Sequence, residues 1–219
     1  MDERTEGIVL RTRLLTETSL IVHWLTPDLG RVATVAKGAR RPKSPFAGKL
    51  DFLYRADFSF QRSRSGDLHT LREVVVSDFQ STLRKDVAVL SQASYWVQLI
   101  EQLTETESPV PKIFYLFRDG LRVLATAGPD NRTVLAFEVK LLSDAGLSPV
   151  DAGQSLSPGA REILQRLGEA DWEFLVKLRL STGQERELTD FLEAFLRTHL
   201  DRVPASRNRA LENGTFHPS

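Results

Sequence analysis

Apolar and polar residues alternate with a period of two along the first third of the chain, which is typical of β-strands with one buried face. The clearest case is the series Phe52, Tyr54, Ala56, Phe58 and Phe60, which alternates with largely polar neighbours. Runs rich in β-branched and apolar residues predict further strands over residues 7–10, 19–26, 31–36 and 68–76. The segments 27–30 and 66–67 supply the turns. Five short strands in so short a stretch predict a small closed or nearly closed barrel.

From about Ser81 the apolar spacing changes to three, four or seven residues, which is typical of amphipathic helices. Helices are predicted over residues 83–103, from 108 to about 128, from 130 to 146, over 160–167 and through 188–200, with 171–180 assigned as helical. Residues 147–159 are predicted to form a loop, and the chain after Pro204 is expected to fray. The sequence therefore predicts an α+β multidomain protein, with a β-barrel domain over residues 1–80 and an α-helical bundle over 81–219.

A basic loop lies between the third and fourth predicted strands. Residues 37–49 contain five cations and no carboxylate, and their two prolines and two glycines exclude a regular helix or a central strand. The cations are Lys37, Arg40, Arg41, Lys43 and Lys49. A long ordered loop of this kind is usually functional, and its charge indicates a polyanion such as nucleic acid as the partner. From the residues alone, a loop that only keeps the protein soluble is the alternative.

Charge is unevenly distributed although the chain has no formal net charge. Residues 31–64 hold nine Lys or Arg against two Asp, a local excess of +7, so the rest of the chain is correspondingly acidic. Arg62 and Arg64, in the turn before the fifth strand, are candidates to extend the basic surface. Because single strands lie in cationic grooves and stack their bases on aromatic side chains, Phe46 inside the loop is the candidate for stacking. It has an alternative role as an anchor of the loop, and the alternating aromatic series is assigned to the barrel core.

Several segments resemble the RecO recombination-mediator family. The opening is similar at residues 7–11, 17–20, 30–31 and 36–40, and later similarities lie at 68–73, 137–142 and 206–207. The resemblance extends over nearly the whole chain and is most specific in the first 80 residues. It implies an N-terminal OB-fold followed by a C-terminal helical domain.

The resemblance also implies a function and partners. A RecO-like protein is expected to bind single- and double-stranded DNA, to promote annealing of complementary strands, and to help load RecA together with RecR. It is further expected to dock the acidic, hydrophobic C-terminal tail of single-strand-binding protein. Candidate cations for that tail on the predicted helices are Arg118, Arg122, Arg132 and Lys140. Such a protein is expected in the bacterial cytoplasm, associated with the nucleoid during repair.

The chain departs from the family pattern at a metal site. Many members carry four zinc-binding cysteines after a segment like Gly146–Pro149, whereas this chain has no cysteine and little insertion there. We therefore expect no zinc and no other cofactor. The absence of cysteine also excludes disulfides and a cysteine nucleophile.

Other functions stay open. An RNA-binding OB module and a protein-interaction scaffold are the alternatives, and an enzyme acting on a phosphate ester is a more distant one. None of the four histidines lies in a recognisable catalytic motif, so we expect a protein without enzymatic activity. No apolar run is long enough to span a membrane, so no membrane partner is expected.

Overall fold

A computed structural model describes residues 2–212 of the chain. Its first part is a closed five-stranded barrel with the neighbour order β1-β2-β3-β5-β4. All adjacent strands pair antiparallel except β3 and β5, which are parallel. The strands are β1 Asp2–Leu14, β2 Leu20–Thr26, β3 Gly30–Ala36, β4 Arg55–Gln61 and β5 Leu68–Asp78. The predicted barrel is confirmed, although β1 is much longer than the expected residues 7–10.

Alternating residues of the strands fill the barrel. Trp24 and Phe58 stack with ring centroids 4.2 Å apart, and both are buried. The predicted alternation fails at the entrance to β4, because Phe52 and Tyr54 precede the strand and are only half-buried. Leu53 is buried there instead, with a positive φ of 67°. The chain therefore enters the strand through a strained turn that the period-two pattern does not indicate.

The turn between β2 and β3 ends at Gly30, which has a φ of +68°. A Cβ at this position would lie 1.9 Å from the Ser108 carbonyl oxygen, so the site requires glycine for space as well as for conformation. Ser108 directly follows residues 104–107, hereafter the strap. The strap pairs in parallel with β3 through Arg31 and Thr106, and Arg31 Nε donates to Thr104 Oγ1 at 2.9 Å.

Besides the 3₁₀ helices Leu83–Lys85 and Gly153–Ser155, the remainder of the described chain contains eight α-helices. They are α1 Val87–Leu103, α2 Pro111–Ala127, α3 Asn131–Asp144, α4 Pro149–Ala152, α5 Pro158–Glu169, α6 Trp172–Leu175, α7 Thr182–His199 and α8 Ser206–Glu212. Asp130 caps α3, since its side chain accepts from the Arg132 backbone N–H. The segment 171–180 is helical only over the short α6. The fraying expected after Pro204 is wrong for residues 206–212, which form α8; residues 213–219 of that tail, with His217, lie outside the described residues.

Aromatic stacking and a buried ion pair hold the helices together. Trp96 of α1 stacks on Phe137 of α3 at 4.3 Å between centroids, and Gly120 of α2 permits close approach, since a Cβ there would lie 2.9 Å from the Trp96 ring. Arg207 of α8 donates to Glu138 of α3 from Nε at 2.8 Å, and both side chains are almost fully inaccessible to solvent. A helix that sequence reasoning assigned to a polar tail is therefore part of the core.

The described chain divides into two compact units. The first contains the residues up to Ser81 together with Thr104–Tyr115, and the second contains Thr82–Leu103 together with the chain from Leu116 onward. The strap thus belongs with the barrel although α1 precedes it in sequence. Among residues 2–212, no helix has both the length and the apolar character that a membrane crossing needs.

Candidate nucleic-acid interface

The basic loop leaves the barrel at the end where β1 turns into β2. Because β3 runs antiparallel to β2, its last residue Ala36 pairs with Leu20, the first residue of β2. Two hydrogen bonds then fix the loop to the β1–β2 turn: Gly38 N donates to Ser19 Oγ at 3.2 Å, and Arg40 N donates to Thr18 O at 3.0 Å. The loop and the turn therefore form one surface.

The interior of the loop is a series of tight turns. Backbone N–H groups of Arg41, Ser44, Ala47 and Lys49 each donate to the carbonyl three residues earlier, at 3.0–3.2 Å. Phe46 is only 7% exposed and belongs to the same apolar cluster as Trp24 and Phe58. Its position corrects the stacking prediction: burial in the barrel core makes Phe46 the anchor of the loop and leaves no ring face for a base.

Most cations of the loop are exposed to solvent. Lys37, Arg40, Arg41 and Lys43 are exposed, and Lys49 is half-buried. Arg40 Nη1 donates to the Glu17 carbonyl at 3.0 Å, so this arginine is held against the β1–β2 turn. Within residues 2–212, Lys37, Arg41 and Lys43 have no carboxylate in ion-pair contact. Their charge is therefore available to an anionic partner.

A second pair of cations lies on β1 near the same end of the barrel, beside His23 of β2, and sequence reasoning missed it. Arg11 pairs in register with His23, and Arg13 Nη2 lies 3.3 Å from His23 Nε2. Burial, and then the charges of Arg11, Arg13 and Arg31, lower the pKa of His23 to about 4. Because a guanidinium only donates, His23 accepts through Nε2 and is neutral at pH 7. The spacing of Arg11 and Arg13 by two on a strand was the available signal.

The structure does not bring Arg62 together with the basic loop. Gln61 pairs with Asp2 at the start of β1, whereas the loop contacts the turn after the end of that long strand. Arg62 lies beside two carboxylates, with Nε 2.7 Å from Glu3 Oε1 and Nη1 2.6 Å from Glu107 Oε2. Its hydrogen bond lowers the pKa of Glu3. Arg62 is thus neutralised by the strap and β1, while Arg64 in the same turn is exposed.

The strap also holds the one strongly buried histidine of the barrel. His69 Nε2 lies 2.6 Å from Glu107 Oε1, and the Ser63 backbone N–H donates to Nδ1 at 3.2 Å. With Nδ1 accepting, Nε2 carries the proton and donates to the carboxylate. This arrangement orders the turn between β4 and β5. Within residues 2–212, no group of three or more His, Asp or Glu side chains is placed to hold a metal ion.

The four helical cations proposed for tail docking differ in their surroundings. Arg132 Nε donates to its own helix cap Asp130 at 2.7 Å, and Lys140 Nζ donates to the Gly168 carbonyl at 2.8 Å. Burial lowers the pKa of Lys140. Arg118 contacts Asp119, and Arg122 is exposed on α2. Arg132 and Lys140 therefore serve the packing of the helices, and only Arg122 is openly presented.

The barrel order and the attached helices define the class of protein. The connectivity β1-β2-β3-β5-β4 is that of an OB-fold, here with a basic surface where β3 leaves the barrel. The family model described as Recombination protein O N terminal matches residues 1–79, and the model described as Recombination protein O C terminal matches residues 84–152 and 148–208. The chain belongs to the RecO family.

Curated relatives support this assignment. A DNA repair protein RecO of Alkaliphilus metalliredigens is 30% identical over 91% of this chain and 94% of its own length. One of Moorella thermoacetica is 26% identical over 93% of this chain and 88% of its own length. One of Exiguobacterium sibiricum is 31% identical over 68% of this chain and 59% of its own length. The family resemblance stated from the sequence is thus confirmed.

Proposed function

We propose that this protein is a DNA repair and recombination mediator that binds single- and double-stranded DNA through the basic loop and promotes annealing of complementary strands. The observation that carries the proposal is the outward, unpaired charge of Lys37, Arg41 and Lys43 on a loop held by Phe46 and by the β1–β2 turn. Phosphates on two strands repel each other, and cations on a fixed surface lower that repulsion. No covalent step is required, so the proposed activity is not enzymatic.

The proposed partners extend this activity. In keeping with the family, the protein would act with RecR to help load RecA onto DNA covered by single-strand-binding protein, in the bacterial cytoplasm. The helical region after residue 80 is the proposed docking part. Exposed Arg122 remains the candidate to meet an acidic tail, whereas Arg132 and Lys140 already have partners within the chain.

The test is the salt dependence of DNA binding. If four phosphates of a single strand are neutralised, log K falls with log salt concentration with a slope of about −3, at roughly 0.7 per phosphate. The variant K37E/R41E/K43E should weaken binding more than about tenfold in 0.1 M salt and flatten the slope to about −1. Arg40 is left intact because it holds the Glu17 carbonyl.

The matched control reverses three other exposed cations, Lys85, Lys177 and Arg179, with the same change in net charge. This control should retain wild-type affinity and slope. A folded loop variant that binds like wild type would refute the site. Competition by matched RNA and DNA oligonucleotides decides between DNA and RNA as the ligand, with equal competition favouring an RNA-binding module.

Annealing tests the mediator role directly. Two complementary labelled strands, bare or coated with single-strand-binding protein, should pair faster with wild-type protein and not with the loop variant. Acceleration on bare DNA but none on coated DNA would support DNA binding and contradict the docking part of the proposal.

A further inference from the structure

The β1–β2 turn presents an apolar tip next to the basic loop. Leu14 is 65% exposed and Leu15 is 45% exposed. A single exposed leucine is ordinary on a protein surface, but here two large side chains are adjacent at the end of a hairpin. Burying such side chains would favour folding, and the fold leaves that stabilisation unused.

The tip is held firmly. Leu14 pairs with Leu20 as the last register pair of the hairpin, and the Leu15 N–H donates to the Ser19 carbonyl at 3.0 Å. Thr16 Oγ1 accepts from the Ser19 N–H at 3.1 Å. The backbone is therefore ordered immediately before and after the two leucines, and their exposure is a property of the folded hairpin.

Cations surround the tip. Arg40 bonds the Glu17 carbonyl and the Thr18 carbonyl, so the basic loop is attached to the same turn that carries the leucines. Arg13 precedes the tip on β1 and is exposed. Glu17 is the one carboxylate among residues 13–27, and it is also exposed. The surface thus combines two exposed leucines with positively charged side chains beside them.

A ligand that matches this surface has phosphates at a fixed distance from apolar faces. A DNA strand with unstacked bases has both, and apolar side chains such as leucine are known to insert between bases in other DNA-binding proteins. Four aromatic side chains of the barrel cannot fill this role because they are buried: Trp24, Phe46, Phe58 and Phe60.

We infer that Leu14 and Leu15 form a wedge that contacts unstacked bases while the basic loop holds the phosphates of the same strand. This inference rests on the proposed DNA binding and names the residues that meet the bases. Such a wedge keeps bases apart and exposed, which is the state in which a second strand can pair with them.

The experiment compares two variants in binding to a single-stranded oligonucleotide that carries 2-aminopurine, whose fluorescence rises when the base is unstacked. In L14S/L15S, we expect affinity to fall by about fivefold, since a leucine contact should contribute less than an aromatic stack, with an unchanged salt slope. The fluorescence rise should be lost. The control V75S/V87S replaces two other exposed apolar residues, 65% and 81% exposed, and should behave like wild type.

Leu15→Phe provides an independent test that does not depend on removing side chains. A larger ring at the tip should bind at least as tightly as wild type and give an equal or greater fluorescence rise. If L14S/L15S unstacks the probe as wild type does, or if its salt slope flattens, the wedge is refuted. If the two leucines are instead needed for binding vesicles of phosphatidylserine and phosphatidylcholine while probe unstacking is unchanged, a membrane contact replaces it.

Failure of the wedge is distinct from failure of the proposed function. A wild-type protein with no salt-sensitive DNA affinity would overturn both. Normal DNA binding that depends on Lys37, Arg41 and Lys43 but not on Leu14 and Leu15 would overturn the wedge alone.

Discussion

Arg207 Nε lies 2.8 Å from Glu138 Oε1, in an ion pair whose side chains are 2% and 0% exposed. The Tyr95 hydroxyl also donates to Glu138 Oε1. Burial alone would lower the pKa of Arg207, but the charge of Glu138 and its hydrogen bonds outweigh it and raise that pKa. Arg207 is therefore charged in the helical core.

Removing one residue of the buried ion pair should destabilise the folded protein. In R207M, the buried Glu138 loses its counterion and two hydrogen bonds, and we expect the free energy of unfolding to fall by about 3–5 kcal/mol. Urea unfolding followed by circular dichroism measures this loss. The triple variant Y95F/E138L/R207M removes the whole polar group and should recover most of the stability. A loss below about 1 kcal/mol in R207M would show that the charged pair is unimportant for stability.

Two glycines have nearly the same backbone conformation, so replacing each by alanine separates the effect of a steric clash from that of backbone strain. Gly30 and Gly48 have φ of +68° and +69°, but only a Cβ at Gly30 meets another atom within 4 Å, the Ser108 carbonyl. Gly48→Ala should cost about 1–2 kcal/mol for the left-handed conformation alone. Gly30→Ala should cost about 1–3 kcal/mol more, because backbone must move. Equal losses in thermal unfolding would contradict the close contact of the barrel with residue 108.

His23 should make the barrel sensitive to acid. Its pKa is lowered to about 4 by burial and by Arg11, Arg13 and Arg31, below its usual value of 6.5. Between these values the unfolded chain binds the proton and the folded chain does not, so stability is complete above pH 6.5 and declines as the pH falls towards 4. His23→Gln should reduce the loss of stability between pH 7 and pH 5. An NMR titration in which the His23 ring titrates near 6.5 would contradict the prediction.

Arg62 and the basic loop should have separate effects. Arg62 is paired with Glu3 and Glu107, so Arg62→Gln should leave the affinity for DNA and its salt slope unchanged. The exposed pairs contribute little, and a loss of less than about 1 kcal/mol in the free energy of unfolding is expected. Arg64→Gln, in the same turn, is the control for stability. A flatter salt slope in Arg62→Gln would return Arg62 to the DNA-binding surface.

Periodicity predicted the elements well because it reports which face of a strand or helix is buried. The barrel strands and the long helices follow from spacings of two and of three or four. The entrance to β4 was missed because a positive φ at Leu53 reverses the face that the alternation assigns to Phe52. The last helix was missed because its burial depends on an arginine whose counterion lies 69 residues earlier.

The sequence predicted which cations form the candidate site, but not which distant residues neutralise or bury its other members. The exposed cations of the loop are local in sequence, so the charge pattern located them. Neutralisation of Arg62 depends on Glu3 and Glu107, which are 59 and 45 residues away, and no local pattern indicates them. Phe46 belongs to the apolar cluster of the barrel, which also depends on distant strands.

The strap has a consequence for how a newly made chain reaches its folded form. Residues 104–107 join the barrel beside Arg31 only after the ribosome has synthesised α1. A nascent segment ending at residue 80 therefore has β3 without the strap and Arg62 without Glu107. One proteolytic cut cannot release the first unit intact, because the chain leaves it after Ser81 and returns at Thr104.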